Sequence, residues 1–355
     1  MFLKGVEKNR TKEKSERASL FRSSLLRWYS ENGRDLPWRQ TQDPYKIWIS
    51  EIILQQTQVK QGWGYYLRFV ERYPTVRSLA EAPEEEVLHL WEGLGYYSRA
   101  HNMMEAARQI CNEKGGIFPS TYRELLTLKG VGAYTAAAIA SIAFGEAVAV
   151  VDGNVYRVLS RFNGIDTPID TIAGKKLFAD MAQEYMDENE PALYNQAIMD
   201  FGALQCRPKG TVCQECPLER ECLARKADLV DLLPRKEKRV AVKEESIRYL
   251  LCFSQDGELV VRQRDKKSIW KALHEFPTLS PEDIDSPGYE LLWETTHQLT
   301  HRRLNIQIYT SEQKKEGLTM PPFFSIPLES HNRIAFPKPL REFLDRHFPL
   351  HLSSE

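Results

Sequence analysis

Apolar residues recur at intervals of three and four from Leu20 to about Leu223, and at intervals of two in short runs after Ile247. No single secondary-structure class satisfies both patterns, so the chain must divide into a helical part and a part that contains strands. Breaks at Pro37, Pro44, Pro74, Pro83, Pro119, Gly130 and Pro191 punctuate the first stretch, which reads as an all-α domain over residues 20–224. Residues 225–245, RKADLVDLLPRKEKRVAVKEE, are charged and broken by Pro234, as expected of a linker. Beyond them, Ile247–Phe253, Glu258–Gln263 and Asn305–Tyr309 read as strands, with an Asp256-Gly257 turn. A smaller α+β domain is therefore expected over residues 246–355. Residues 1–19 are rich in lysine and lack an apolar core of signal-peptide length, so they are expected to form a mobile, uncleaved arm.

With 355 residues, 42% hydrophobic and 27% charged, the composition is that of a globular protein and excludes collagen-like, mucin-like and coiled-coil classes. A membrane span needs about 20 continuous apolar residues. The best candidate, Ala133–Val151, is interrupted by Tyr134, Thr135, Ser141, Gly145 and Glu146. The reading is a cytoplasmic protein without a membrane partner. The 48 basic and 49 acidic residues leave a net charge of -1, which taken alone argues against nucleic acid. The charge is uneven, however: residues 1–40 hold ten Lys or Arg against five Asp or Glu, so one face can still be positive.

Four of the six cysteines fall within 17 residues, spaced Cys206-x6-Cys213-x2-Cys216-x5-Cys222. Four thiolates at this density suit a metal or cluster site. A structural zinc and an iron-sulfur cluster both remain open on spacing, the long gaps favouring the larger cluster. A disulfide framework is disfavoured because nothing suggests secretion. Cys111 and Cys252 read as packing residues.

Leu125–Ile139 runs from a helix end through Gly130-Val131-Gly132 into an alanine-rich helix. The unpaired N–H groups at the start of that helix are donors for a phosphate oxygen, although a tight helix-helix turn would look the same. Two carboxylates also stand out. Glu51 shares a helical face with Leu54, Gln55 and Gln58, unlike a solvated face that mixes in Lys and Arg, yet an exposed polar stripe accounts for it as well. Asp152 precedes Gly153-Asn154-Val155 where a helix begins, which suits an N-cap and also an ionised carboxylate beside the helix dipole.

These four elements occur together, in this order, in the helix-hairpin-helix DNA glycosylases that carry a 4Fe-4S cluster. Over roughly residues 20 to 350 the chain resembles the MutY-type adenine DNA glycosylases. The carrying motifs are LPWR (Leu36–Arg39), SEIILQQTQV (Ser50–Val59), GLGYYSRA (Gly93–Ala100), LKGVGAYTAAAI (Leu128–Ile139), VDGNVYRV (Val151–Val158) and the four cysteines. The resemblance implies removal of adenine mispaired with 8-oxoguanine or guanine in duplex DNA, by a monomer, after the base is flipped out. It implies that Glu51 protonates adenine, that Asp152 stays ionised to stabilise the sugar cation, and that Tyr134 and Asn154 assist through hydrogen bonds. Trp38, Arg39 and Gln196 would hold the flipped base. Leu54, Gln55 and Gln56 would wedge the vacated stack, with Tyr96 intercalated beside the opposing lesion. Gly130, Val131 and Gly132 would take a phosphate, and Cys206, Cys213, Cys216 and Cys222 would ligate the cluster.

The segment VVRQRDKKSIWKALHEFPTL (Val260–Leu279) resembles the family's Nudix-like recognition domain, without a hydrolase box. Where the family commonly has Phe-Ser-His in the lesion-reading loop, this chain has Leu299-Thr300-His301, with His297 upstream. The hydroxyl and imidazole are kept and the aromatic is lost. Endonuclease III-like pyrimidine-lesion lyases place a nucleophilic lysine where Tyr134 stands, and a phenol cannot form that imine. The alternatives are such a lyase, or a non-catalytic iron-sulfur DNA-binding module.

Overall fold

The computed structural model describes residues 2–237, 242–265, 269–311 and 320–349, the first thirteen of them by backbone alone. In chain order the helices of the first two thirds are α1 (Phe2–Asn32), α2 (Pro44–Leu54), α3 (Val59–Arg72), α4 (Val76–Ala80), α5 (Glu84–Leu90), α6 (Ser98–Lys114), α7 (Tyr122–Leu125), α8 (Ala133–Phe144), α9 (Gly153–Asn163), α10 (Ile172–Tyr185), α11 (Pro191–Asp200) and α12 (Leu223–Lys226). After them come β1 (Lys243–Leu250), β2 (Leu259–Gln263), β3 (His274–Glu275), α13 (Pro281–Ile284), β4 (Tyr289–Gln298), β5 (Arg302–Ser311), β6 (Phe323–Ile326) and α14 (Lys338–His347). No helix among the described residues is long and apolar enough to cross a membrane. The elements gather into two compact units.

The first unit comprises Met1–Val59, Val70–Arg77 and Glu105–Arg239. Its core joins Phe21, Leu25 and Trp28 of α1 to Val155, Leu159 and Phe162 of α9 and Tyr194, Ala197 and Ile198 of α11. The rings of Phe21 and Phe162 lie 4.9 Å apart, and truncating the wholly buried Phe21 to alanine would cost about 3–5 kcal/mol. Ala136, Ala137, Ala138 and Ala140 of α8 are buried, and side chains this small let neighbouring helix backbones approach closely. Helix α8 stops at Gly145 and α9 at Gly164, both left-handed with φ of 68° and 60°, the conformation that a C-terminal cap requires and glycine adopts without strain.

The second unit comprises Lys60–Phe69, Ser78–Met104 and Val240–Glu355. One sheet has the order β1-β5-β4, with β1 parallel and β4 antiparallel to β5; the other has the order β3-β2-β6. Tyr249, Val261, Phe276, Ile306, Phe336 and Phe343 fill its core, which α14 helps to cover.

Several boundaries differ from those read in the sequence. Residues 15–19 are not an arm: α1 runs through them, Ala18 is buried, and Arg17 donates to the carbonyls of Phe162 and Glu221 at 2.7 and 2.8 Å. The segment 225–237 is attached to the first unit, because Leu233 is buried and its carbonyl accepts from Arg161 Nε at 3.0 Å; residues 238–241 lie outside the described residues. Residues 60–69 and 78–104 group with the C-terminal strands. Arg341 reaches Glu92 at 2.7 Å and Phe69 packs on Trp91, so the second unit takes in helices from the first two thirds of the chain. Strand β1 begins at Lys243 and ends at Leu250, earlier than its apolar run suggests, because the ladder with β5 extends through Lys243↔Arg302. Strand β4 was not anticipated; Glu, Thr and His alternate through it and conceal the period.

Candidate active site

Asp43 starts α2 by accepting the Tyr45 N–H at 2.9 Å, and Pro44 takes the first helical position, where no N–H partner is needed. The helix then carries Glu51 inward, only 7% exposed, and ends at Leu54. Glu51 faces a cleft of about 420 Å³ whose walls include Trp38, Arg39, Leu54, Tyr134, Asp152, Asn154 and Gln196. These sequence-predicted residues come from five separate stretches of chain, and the fold brings them together. Glu51 is thus not part of an exposed polar stripe.

Burial pushes the Glu51 carboxyl up to about 7, with the Asp152 charge adding to the rise, while the Tyr134 hydrogen bond and the Arg39 charge oppose it. Tyr134 is itself pushed well above the usual range by burial and by the two carboxylates. Its hydroxyl also donates to Met199 Sδ at 3.1 Å. Because that hydroxyl has one proton, it can serve the ionised carboxylate or the thioether, and a protonated Glu51 leaves it to the sulfur.

Asp152 caps α9. Its Oδ1 accepts the N–H groups of Asn154 and Val155 at 2.8 Å each, and its Oδ2 accepts from Asn154 Nδ2 at 2.8 Å. Burial raises its pKa above the ordinary value, and the three donors and Arg157 pull the other way. Burial thus outweighs the cap in direction, although every hydrogen bond to Asp152 favours the ionised form. Asn154 Oδ1 in turn accepts from Arg157 Nη2 at 2.8 Å.

Arg39 is less free than expected of a base-holding group. Its guanidinium binds Asp200 through two bonds of 2.7 and 2.8 Å, and Arg34 binds the same carboxylate. These partners hold Asp200, which is wholly buried, below the usual carboxylate range in spite of burial. Arg39 therefore forms a fixed wall of the cleft and acts on Glu51 through its charge. Sequence reasoning missed Asp200 and Tyr29, whose hydroxyl donates to Gln196 Oε1 at 3.0 Å; both sit on helices whose periodicity signals only core.

The candidate wedge lies where α2 ends. Leu54 and Gln55 are half-buried, Gln56 is exposed with φ of 56°, and Gln55 Nε2 donates to Thr135 Oγ1 at 3.2 Å in the first turn of α8. Gly130 has φ of 73°, Val131 is buried, and Gly132 is exposed with nothing within 4 Å of where a Cβ would stand. The α8 N-terminus is therefore approachable.

In the second unit, the Tyr96 hydroxyl hydrogen-bonds Thr300 Oγ1, so two residues 204 positions apart meet. Tyr96 has φ of 50° and is 45% exposed. Arg99 holds that turn, donating to the Gly95 carbonyl at 3.1 Å with its guanidinium over the rings of Trp91 and Tyr96. Thr300 and His301 are exposed in the turn between β4 and β5 and line a second cavity, of about 500 Å³, together with Tyr96.

Cys206 follows a short π-helical turn, Phe201–Gln205, and Cys213, Cys216 and Cys222 follow in a loop of tight turns. All four thiols are free and half-buried. Arg161 links the ends of the loop: its Nη1 lies 3.5 Å from Cys206 Sγ, and its carbonyl is 3.4 Å from Cys222 Sγ. Burial raises Cys213, Cys216 and Cys222, Cys216 up to about 12, and the neighbouring sulfurs add to each rise. Thiols raised in this way favour a cation as partner, and four sulfurs in one loop fit an iron-sulfur group. Among the described residues no three His, Cys, Asp or Glu side chains are arranged to hold a single metal ion.

Residues 49–181 match the HhH-GPD superfamily of base excision DNA repair proteins, and residues 248–346 match the NUDIX domain. The chain is 46% identical over 215 residues to the adenine DNA glycosylase of Homo sapiens, an alignment covering 58% of this chain and 39% of that protein. It thus spans about two fifths of the length of its mammalian relatives. To the adenine DNA glycosylase of Buchnera aphidicola subsp. Schizaphis graminum it is 32% identical over 353 residues, covering 92% of this chain and 98% of that one. A solved structure of a thermostable thymine-DNA glycosylase superposes with a TM-score of 0.56 at 30% identity, covering 60% of this chain and 98% of that one. With near full-length similarity to the Buchnera protein and both domain types in the same order, the chain belongs to the adenine DNA glycosylase family.

Proposed function

We propose that this chain excises adenine opposite 8-oxoguanine or guanine in duplex DNA by hydrolysing the N-glycosidic bond. The observation that carries the reading is Glu51, held up to about 7 by burial in a cleft it shares with Asp152. Cleavage leaves negative charge on the base and positive charge on the sugar, so it needs one carboxyl protonated and one ionised. Glu51 gives its proton to adenine N7, the C1′–N9 bond breaks with its electrons passing to the base, and the Asp152 carboxylate stabilises the sugar cation at C1′. Water then adds to C1′ and returns a proton to Glu51. Tyr134 and Asn154 hold the two carboxyls, and Trp38, Arg39 and Gln196 wall the flipped adenine.

Leu54, Gln55 and Gln56 fill the gap in the stack, and the N–H groups after Gly130-Val131-Gly132 take a phosphate. Tyr96, Thr300 and His301 read the opposing base. Tyr134 supplies no amine, so the enzyme is monofunctional. The enzyme acts as a monomer, and four cysteines clustered for a metal-sulfur group suit a reducing compartment such as the cytoplasm. Cys206, Cys213, Cys216 and Cys222 hold a 4Fe-4S cluster, which when bound would brace the loop and take no part in bond cleavage.

Single-turnover release of adenine from an A:8-oxoguanine duplex tests the chemistry. Asp152→Asn should lower the rate by at least about 100-fold while mismatch binding is retained; a rate near that of the wild type would remove Asp152 from the mechanism. Iron and acid-labile sulfide in anaerobically purified protein test the cluster, and zinc in their place would overturn it.

A further inference from the structure

The cavity that receives Tyr96 and Thr300 has an aromatic wall that the loop motif does not supply. Leu299 offers no π face, but the same cavity is lined by Trp270 and His297. Their rings lie 5.9 Å apart, inclined at 50°. Trp270 has φ of 59°, a conformation that bulky residues rarely adopt, so its surroundings must fix it. Arg264 does so twice, donating from Nε to the Ile269 carbonyl at 2.9 Å and setting its guanidinium 5.7 Å from the Trp270 ring. His101 Nε2 lies 3.2 Å from the Lys271 carbonyl and anchors the next residue. Burial and the Lys338 charge push His297 below the usual imidazole range, favouring an uncharged ring.

We propose that Trp270, backed by His297, is the wall on which the purine opposite the excised adenine stacks, replacing the aromatic missing at Leu299. The inference rests on the reading that this cavity receives the opposing base. Stacking tolerates any base, so Trp270 sets affinity for a purine at that position, whereas hydrogen bonding by Thr300 and His301 sets the choice of 8-oxoguanine over guanine.

Binding of the full chain to duplexes holding non-cleavable 2′-fluoro-2′-deoxyadenosine opposite 8-oxoguanine, guanine or an abasic site separates the two roles. Trp270→Leu keeps an apolar side chain and removes the indole. It should bind both purine duplexes about 10-fold more weakly, with their ratio kept and the abasic duplex unaffected, and Trp270→Phe should stay within about 3-fold of wild type. Wild-type binding by Trp270→Leu, an equal loss on the abasic duplex, or a Phe variant as weak as the Leu variant would each overturn the wall. Thr300→Ala with His301→Ala should change the 8-oxoguanine to guanine ratio. An unchanged ratio there removes the reading of the loop, a failure distinct from that of Trp270.

Discussion

Burial holds Glu51 up to about 7, and the same burial makes the folded protein less stable once that carboxyl ionises. The folded-state pKa lies above that of the unfolded chain, so between about pH 4.5 and 7 the native state binds more protons than the unfolded state and stability falls as pH rises. Above pH 7 the loss is complete, about 3 kcal/mol by the size of the shift. Two outcomes follow from this one residue. Single-turnover adenine release should fall as pH rises through about 7, because only protonated Glu51 is an acid. Glu51→Gln should lower release by orders of magnitude and yet raise denaturant stability over wild type at pH 8, with no gain at pH 4. A variant as unstable at pH 8 as the wild type would show that Glu51 is not held protonated by the fold. The sequence made Glu51 and Asp152 visible through their neighbours, a run of glutamines and a helix start. It could not reveal Asp200, because nothing in QAIMDFG shows that its carboxylate meets Arg34 and Arg39 from the other end of the domain.

Helix α9 carries its site through a close contact. Gly202, in the π-helical turn after α11, lies so near α9 that an added Cβ would stand 2.5 Å from Asn154 Cβ and 3.1 Å from its Cα. Arg157 clamps the same place, donating to the carbonyls of Gly202 at 2.6 Å and Cys206 at 2.7 Å. The start of the cysteine loop and the first turn of α9 are thus one packed assembly. Gly202→Ala must push backbone against backbone, at a cost of about 1–3 kcal/mol, and it shifts Asn154 away from Asp152. Because catalytic placement is sensitive to displacements near 1 Å, adenine release should drop by about 100-fold, with mismatch affinity little changed. Full activity in Gly202→Ala would show that the turn can relax without moving α9. The cap at Asp152 and the Gly-x-Gly hairpin were legible because local chemistry specifies them. The π-turn and strand β4 were not: the first depends on a neighbour distant in sequence, and the second hides its alternation among polar residues.

Neutral overall charge looked like evidence against DNA, and the fold explains why it is not. Many of the arginines are occupied within the protein. Arg34 and Arg39 serve Asp200, Arg262 and Arg264 serve Glu275, Arg341 serves Glu92, and Arg157 and Arg161 bind backbone carbonyls around the cysteine loop. They hold walls and loops in place instead of meeting phosphate. Among the described residues, what remains for the duplex is the hairpin N–H groups, which carry no net charge, the wedge, and scattered exposed cations such as Arg123 and Lys129, the latter already 3.8 Å from Glu105. On the proposed function, recognition depends on one flipped base and the base opposite it, so counterion release contributes little. Each neutralised phosphate steepens the dependence of log K on log salt by about 0.9, so a slope shallower than about -5 is expected for A:8-oxoguanine duplex. Lys129→Ala should flatten it by one phosphate at most. A slope near -10 would mean that a continuous basic surface grips the duplex, and the expectation of few phosphate contacts would then be wrong.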